Sequence, residues 1–431
     1  MKNGTSVALP RTGVANFYVI VPSLGIMLIF AAAAYAVIGW PLAFGNFGAT
    51  GDAALELEQL SQSNTANQII WVALFSAGVL FVARRAMRGM MPIMTLSLTM
   101  ISAYLLLALA SSMWALAPDI SLRRWLQQVL VVFIFTGVTL YVRDKVRVLN
   151  AVFAVFALAI VLNAVLVPVI PAGPLGYAGI YAQKNALGAV AALTLIFSIC
   201  YVMSNGSIYK IFLVVIAILS AGLLVISQSK TSLGLALLCP ILASAIVIIS
   251  RLFGMSLLGA LLAAFAAASI LFFLVVDGLQ ISTEDLSMLL FNDTTFTGRK
   301  YIWDYVFSLH EQRPWLGWGY QSFWSIGPES PSLKASSFVA GLNQSHNGYV
   351  DILLETGNIG LIVIVIFLIG LCHAIDRSWR ERADISVLLL SLTLFCGAHN
   401  LLESSLTRGF AVPWVTLLIV AGIANATRTA R

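Results

Sequence analysis

The sequence predicts an all-α integral membrane protein with about 12 transmembrane helices, and three observations support this class. Hydrophobic residues make up 60% of the 431 residues and charged residues only 10%, a composition that a water-soluble globule does not have. The apolar residues fall in runs of about 17 to 25, the length of a helix that crosses a hydrocarbon core. The alternating pattern of membrane-barrel strands is absent.

The predicted spans follow one another along the chain. In order, they cover residues 14–40, 68–83, 92–116, 125–142, 149–171, 185–204, 208–227, 231–250, 255–276, 352–375, 385–402 and 410–426. The first run is too long and uninterrupted for the apolar region of a signal peptide, so we expect it to be retained. The four cysteines lie inside or at the ends of separate runs, which indicates neither disulfides nor a zinc site.

Loops rich in cations alternate with loops that are poor in them. The three richest loops hold Arg84, Arg85 and Arg88, then Arg143, Lys145 and Arg147, then Arg377, Arg380 and Arg382. Because Lys and Arg accumulate on the cytoplasmic side, these loops mark the cytoplasm, and an even number of spans puts both termini there. The 24 Lys and Arg then divide into fifteen inside and nine outside. We attribute the net charge of +6 to this bias and to anionic headgroups, not to nucleic-acid binding.

The chain is predicted to form one membrane domain with one long polar insertion. Residues 1–276 hold transmembrane helices 1 to 9, residues 277–345 form a loop on the outer face, and residues 346–431 hold helices 10 to 12. The loop has no run long enough to cross the membrane. We therefore expect its polar side chains to meet the outer ends of the spans.

An amphipathic helix is predicted inside the loop. Apolar residues recur there at helical spacing, at Ile302, Tyr305, Val306 and Leu309. We expect this helix to lie on the bilayer. Thr297 is its predicted N-cap, which places Arg299 in the first turn, where free backbone N–H groups favour anions.

Five of the nine outer cations lie at or beside the ends of apolar runs. These are Arg123, Arg124, Lys184, Lys230 and Arg299. We expect them to converge on a phosphate-bearing lipid at the outer face, because clustered cations on one side of a membrane suit an anionic group. The alternative for Lys230 is a short polar turn whose lysine extends to the interface.

His346 precedes the tenth predicted span and is the candidate general base, because a neutral imidazole near pH 7 can accept a hydroxyl proton. The alternative is a histidine bonded to loop backbone. His399 and Asn400, with Glu403, form a second polar group on the same face. Aromatic residues at 315–324 suit either stacking on sugars or an interfacial belt. No phosphate-binding loop and no D-x-D pair occurs, so we expect no nucleotide, cofactor or metal.

Five short motifs then stand in a fixed order along the chain. They are Q-K-N-x-x-G at 183–188, S-Q-S-K-T-S at 227–232, T-G-R-x-x-x-W at 297–303, L-G-W-G-Y at 316–320 and S-H-N-G-Y-x-D-x-x-x-E-x-G at 345–357. From about residue 114 to 403 the chain resembles the O-antigen ligase and polymerase superfamily. The lysine in the second motif and the Lys184-Asn185 pair resemble most its exopolysaccharide polymerase, or ExoQ-type, branch.

The resemblance implies an inverting, metal-independent glycosyltransferase at the periplasmic face of the bacterial inner membrane. Its donor would be an oligosaccharide linked to undecaprenyl pyrophosphate within the membrane lipid, and a co-polymerase that sets chain length would be a further partner. Arg299 and the other outer cations would hold the pyrophosphate, and His346 would orient or deprotonate the acceptor hydroxyl. The remaining residues predicted to bind substrate are Asn185, Trp303, Asn347 and Tyr349.

Lys230 departs from the pattern, because ligases of this superfamily tend to have arginine there and lysine cannot make a bidentate phosphate contact. Polymerisation into an exopolysaccharide is the function that we expect. Ligation to lipid A core or to a protein uses the same donor and stays open. A lipid or polysaccharide transporter would place ionisable groups near the bilayer midplane, and a purely structural subunit would not depend on individual outer cations.

Overall fold

The computed structural model describes residues 23–44, 61–174, 176–204, 209–282, 285, 288, 298–335, 339–425 and 427–429. The start of the first predicted span at residues 14–22 and the predicted cap Thr297 lie outside these residues. The described chain is helical, apart from one short antiparallel pair that joins β1 (Met90–Pro92) to β2 (Thr427–Thr429). The predicted class, an all-α integral membrane protein, is confirmed.

The helices alternate with short connections. They are α1 (Leu24–Ala34, continued through a π-helical turn at Tyr35–Gly39 to Phe44), α2 (Thr65–Ala86), α3 (Leu96–Ser111), α4 (Pro118–Val132, continued through a π-helical turn to Tyr141), α5 (Lys145–Leu166), α6 (Lys184–Ser204), α7 (Lys210–Ser227), α8 (Lys230–Leu252), α9 (Leu257–Gly278), α10 (Arg299–His310), α11 (Gly348–Trp379), α12 (Ala383–His399) and α13 (Val412–Ala424).

Nine of the described helices are long and apolar enough to cross a membrane, and α3, α12 and α13 are apolar but shorter. The count of twelve spans therefore stays a prediction. One boundary differs in a way that matters. The fourth span begins at Pro118, which occupies the first turn where its missing N–H is tolerated. Arg123 and Arg124 therefore lie within the helix, whereas the sequence placed them before it.

The helices differ widely in how much of their surface is covered. Helix α6 is the most enclosed span and packs against α5, α7, α8 and α12. Helix α9 is at the other extreme, since only Leu257 and Ala260 are buried. An apolar helix with so little protein around it suits contact with hydrocarbon.

Helix α10 packs one apolar face on protein, and its position on the bilayer stays a prediction. Ile302 and Val306 are 2% and 0% exposed, and they pack with Phe323, Trp324 and Val339 of the loop. Two residues of α11, Val350 and Leu354, complete this small core. The long loop that contains α10 thus also provides most of the apolar residues against which the helix packs. The N-cap of α10 is Gly298, which has a left-handed conformation and no side-chain cap bond.

Helix α11 is broken at Gly357, where φ is 66° and ψ is −166°. A regular helix would join the N–H of residue 358 to the carbonyl of 354 and that of 359 to 355. Instead, the carbonyls of Leu354 and Glu355 accept from Trp318 and Gly319 of the loop, both at 2.9 Å. The N–H groups of residues 358 and 359 donate to the loop carbonyls of residues 314 and 315. The loop therefore completes the hydrogen bonding of the broken helix.

The glycines of the L-G-W-G-Y motif permit this close approach. A Cβ on Gly317 would lie 2.6 Å from the Leu354 carbonyl oxygen, and one on Gly357 would lie 2.3 Å from the Trp315 backbone. Both residues also have a positive φ, which favours glycine. The motif therefore reflects backbone packing against α11.

Candidate active site

Three predicted site residues meet at one carboxylate, Glu403, in the turn that follows α12. Asn185 donates from Nδ2 to Glu403 Oε1 at 2.6 Å. Arg299 places Nη2 3.4 Å from the same oxygen and donates to the Leu402 carbonyl at 3.0 Å. His346 Nδ1 lies 3.7 Å from Oε2, which is longer than a direct hydrogen bond. The first, third and fifth motifs are thereby joined at one point.

The turn that carries His346 is held from two sides. The N–H of Gly348 donates to the carbonyls of Asn400 at 2.8 Å and Glu403 at 3.1 Å. A Cβ on Gly348 would lie 2.4 Å from Asn400 Oδ1, so glycine is required for this contact. On the other side, the Trp303 indole donates to the Ser345 carbonyl at 3.1 Å. His346 itself has a φ of 54°, a strained conformation for a non-glycine residue and one that clusters at functional sites.

The other two predicted residues of this motif have structural contacts. Asn347 caps α11, since its Oδ1 accepts from the N–H groups of Tyr349 and Val350. The Tyr349 hydroxyl donates to the Gly397 carbonyl at 2.9 Å, which joins α11 to α12. Their predicted role in substrate binding stays a prediction.

The charges at Glu403 are largely removed from solvent. The side chain of Arg299 is 13% exposed and that of Glu403 is 9% exposed. Burial lowers the pKa of Arg299, and the neighbouring carboxylate opposes that shift. In such a setting an ion pair interacts more strongly than on the surface. The carboxylate can thus orient a guanidinium and an imidazole at once.

A second ion cluster, formed by Arg408, Asp351 and Glu355, lies beside the first. Arg408 Nη2 is 2.8 Å from Asp351 Oδ2 and 3.6 Å from Glu355 Oε1. Burial lowers the pKa of Arg408, but the two carboxylates outweigh burial and raise it above its ordinary value. Asp351 Oδ1 also accepts from the N–H of Ser345 at 3.0 Å. This cluster therefore helps to fix the chain next to His346.

A cavity of about 730 Å³ opens beside Glu403. Its polar wall includes Arg123, Arg124, Gln127, Gln183, Asn185, Gln344, Glu403 and Arg408. Its apolar wall includes Ala36, Trp40, Trp71, Val72, Leu130 and Phe410. A cavity lined by both charged and apolar side chains suits a ligand that has a polar head and a hydrocarbon chain.

The five predicted cations have different surroundings. Arg123 pairs with Asp119 at 3.4 Å, and Arg124 donates to loop carbonyls, including that of Ser325 at 2.6 Å. Both line the cavity. Lys184 donates to the Gln228 carbonyl at 3.5 Å.

Lys230 is exposed, and within the described ranges its ammonium group makes no hydrogen bond or ion pair. The structure does not bring Lys184 or Lys230 to the cavity wall. Their predicted role in substrate binding therefore stays a prediction.

Two residues of the site had no assigned role in the sequence prediction. Glu403 was seen only as a polar neighbour of His399, and Arg408 only as one of nine outer cations. In the aromatic segment, Tyr320, Phe323 and Trp324 are buried, whereas Trp315 is 62% exposed, so the two interpretations offered for the segment stay open for Trp315. In the part of the chain that the structure describes, no group of three or more His, Cys, Asp or Glu could hold a metal ion.

Comparison with known proteins agrees with the motifs. Residues 193–365 match the family model described as O-Antigen ligase. The chain is also 28% identical over 283 residues to the "Exopolysaccharide production protein ExoQ" of Rhizobium meliloti (strain 1021). That match spans 62% of this chain and 63% of the relative, less than two thirds of its length. The resemblance to the O-antigen ligase and polymerase superfamily, and to its ExoQ-type branch, is confirmed.

Proposed function

We propose that this protein polymerises undecaprenyl-pyrophosphate-linked oligosaccharide repeat units into an exopolysaccharide, by metal-independent inverting transfer at the periplasmic face of the inner membrane. One observation carries the proposal. Glu403 lies near an amide, a guanidinium and an imidazole from three separate motifs, beside a cavity lined by both charged and apolar side chains. The exopolysaccharide relative supports the same conclusion.

The cavity suits the donor lipid in both its parts. The pyrophosphate faces Arg123 and Arg124, whose guanidinium groups match phosphate oxygens geometrically. The first isoprenoid carbons lie against Trp40, Trp71 and Phe410 on the apolar wall. Arg299, held by Glu403, adds a cation beside the reacting group.

The reaction needs a base and a stabilised leaving group. The acceptor hydroxyl oxygen attacks the anomeric carbon, its proton passes to His346, and the carbon–oxygen bond to the pyrophosphate breaks with its electron pair on the phosphate oxygen. Negative charge grows on the leaving group, so Arg299 and the cavity arginines stabilise the transition state more than the ground state. Nδ1 of His346 lies 3.7 Å from Glu403 Oε2 and 3.5 Å from Gln344 Nε2, and in the proposed step Nε2 accepts the proton.

Purified protein in nanodiscs with synthetic undecaprenyl-pyrophosphoryl repeat units, without nucleotide or metal, tests the proposal. We expect a ladder of longer lipid-linked products on a gel. Arg299→Ala and His346→Ala should each slow extension by about 100-fold or more, the usual contribution of such groups. Lys300→Ala is the matched control for the arginine, since Lys300 is the exposed next residue of α10. His373→Ala, at an exposed position of α11, is the control for the histidine.

Each outcome assigns a function. Extension that is lost in both variants and kept in both controls supports the polymerase. Variants that still make full-length polymer show that the mechanism is wrong. Transfer only after a lipid A core acceptor is added identifies a ligase, which shares the donor. Absence of either reaction in the wild type points to transport.

A further inference from the structure

Two side chains in the cavity wall, the buried His399 and the half-buried Ser404, have buried polar atoms without partners in the described part of the chain. His399, the last residue of α12, is 3% exposed, and within the described chain neither of its ring nitrogens has a hydrogen-bond partner. Ser404 Oγ is likewise buried and unpaired. Both residues line the cavity. Polar atoms buried in a folded protein are nearly always hydrogen bonded, so these atoms indicate a missing partner.

The imidazole is held in place by packing alone. It stacks on Phe395 with ring centres 5.3 Å apart and planes 29° apart. The N–H of Glu403 donates to the His399 carbonyl at 3.0 Å, so His399 lies one helical turn from the carboxylate that joins the three motifs. Ala186 and Ala189 of α6 also line the cavity, where their small side chains leave space. The two unpaired side chains are thus next to the reacting centre.

The chemistry of these groups differs from that of the arginine wall. A neutral imidazole has one donor and one acceptor, and a serine hydroxyl has one donor and two acceptor sites. Such groups match hydroxyl or acetamido substituents of a sugar, whereas Arg123 and Arg124 match phosphate. The lining of the cavity therefore includes both cationic groups and uncharged hydrogen-bonding groups.

We infer that His399 and Ser404 form a sugar subsite. It binds the hydroxyl or acetamido groups of the sugar that is attached directly to the lipid pyrophosphate. This inference rests on the proposed function, since it names the part of the donor that this end of the cavity recognises. A donor whose first sugar lacks the bonded substituent leaves buried polar atoms unpaired and is rejected.

The test compares two ligands of the protein in nanodiscs: the undecaprenyl-pyrophosphoryl saccharide and undecaprenyl pyrophosphate without sugar. Binding is measured as the shift in the thermal unfolding midpoint over a concentration series. His399→Phe keeps a ring to stack on Phe395 and removes both nitrogens. We expect it to weaken binding of the saccharide lipid by about tenfold, the effect of one or two hydrogen bonds, and to leave binding of the sugar-free lipid unchanged.

Without ligand, the His399→Phe variant should be at least as stable as the wild type, because the unpaired nitrogens are gone. His373→Phe is the matched control, and it should change neither ligand affinity. Ser404→Ala is an independent second variant that tests the subsite if the His399 variant fails to fold. It should also weaken only the saccharide lipid.

The possible failures are distinguishable. If the wild type binds both lipids but both variants bind the saccharide lipid as tightly as the wild type does, the sugar subsite is wrong and the proposed function stands. Loss of stability without ligand, with unchanged affinities, would show that His399 has a purely structural role. If the wild type binds neither lipid, the proposed function fails and the subsite fails with it.

Discussion

Glu403 contacts groups that are far apart in sequence. Asn185 lies 218 residues before it and Arg299 lies 104 residues before it. A carboxylate that orients a base and a cation together resembles the third member of a catalytic triad in its role, since it touches neither reacting group in the mechanism. We therefore regard Glu403 as a positioning residue for His346 and Arg299.

Replacement of Glu403 by Gln should lower the rate of extension by about 100-fold, because the imidazole and the guanidinium lose the charge that orients them. The amide keeps the size of the side chain, and Asn185 can still donate to its oxygen. The rate with saturating saccharide lipid measures this effect. Glu381→Gln, at an exposed position beyond α11, is the control. A variant rate within threefold of the wild type, in folded protein, contradicts the role of Glu403.

For individual residues, the sequence predicts those that stand in motifs but not the side chains that contact them in the fold. Arg299, His346 and Asn185 stand in motifs, so they could be named before the structure. Glu403 and Arg408 stand outside the motifs. Their importance depends on contacts across the fold, such as that between Arg408 and Asp351 over 57 residues. A single sequence carries no signal for such a contact.

Among the elements, α11 contributes most to the site. Its first turn begins at the end of the His346 motif, and its break at Gly357 places loop backbone against Leu354 and Glu355. Asp351 and Glu355 then pair with Arg408 within the same segment. The segment of α11 around its break thus connects the long loop to the second ion cluster.

Gly357→Ala should destabilise the protein. Its φ and ψ belong to a region that is nearly confined to glycine, which costs about 1 to 3 kcal/mol for another residue, and the added Cβ would lie 2.3 Å from the Trp315 backbone. We expect a lower thermal unfolding midpoint and reduced extension.

Gly234→Ala in α8 is the matched control for this substitution. Apart from its chain neighbours and its own helix backbone, no atom of the described residues lies within 4 Å of its Cβ position, and alanine favours helix over glycine by about 0.8 to 1 kcal/mol. An unchanged midpoint in the Gly357 variant would show that the break tolerates a side chain.

The elements show where sequence patterns fail. The break in α11 lies in an apolar run that has the composition of one continuous helix, and only the packing of the loop against it requires the left-handed glycine. The start of α4 was predicted too late, because Asp119, Arg123 and Arg124 have the composition of a loop. The spacing of its apolar residues predicts helix α10 with Thr297 as the N-cap, whereas the N-cap is Gly298, and the apolar face of the helix meets loop residues that follow it in sequence.

For the whole molecule, the amount of apolar sequence was enough to predict the class, because no other environment accommodates so many apolar helices. The orientation of the bundle is a separate matter. It depends on the charge bias of the loops, and it decides whether the site faces the periplasm. That both termini lie in the cytoplasm remains a prediction.

Single cysteines test this orientation. Glu311→Cys lies just after α10, at the end of the molecule that carries the site, and Glu381→Cys lies between α11 and α12; both native residues are exposed. A membrane-impermeant maleimide should label the first in intact spheroplasts and the second only after permeabilisation. The four native cysteines are buried, so background labelling should be low. The reverse pattern would place the site in the cytoplasm and overturn the proposed localisation.

The interlock between the loop and α11 also bears on biogenesis. The ribosome synthesises residues 314–319 before it synthesises the helix that they complete. The two halves of α11 therefore meet a segment that already exists, and their free backbone groups need not wait in hydrocarbon for a partner made later. Every loop residue that pairs with the break thus precedes it in the chain and is available to dock as soon as α11 has been made.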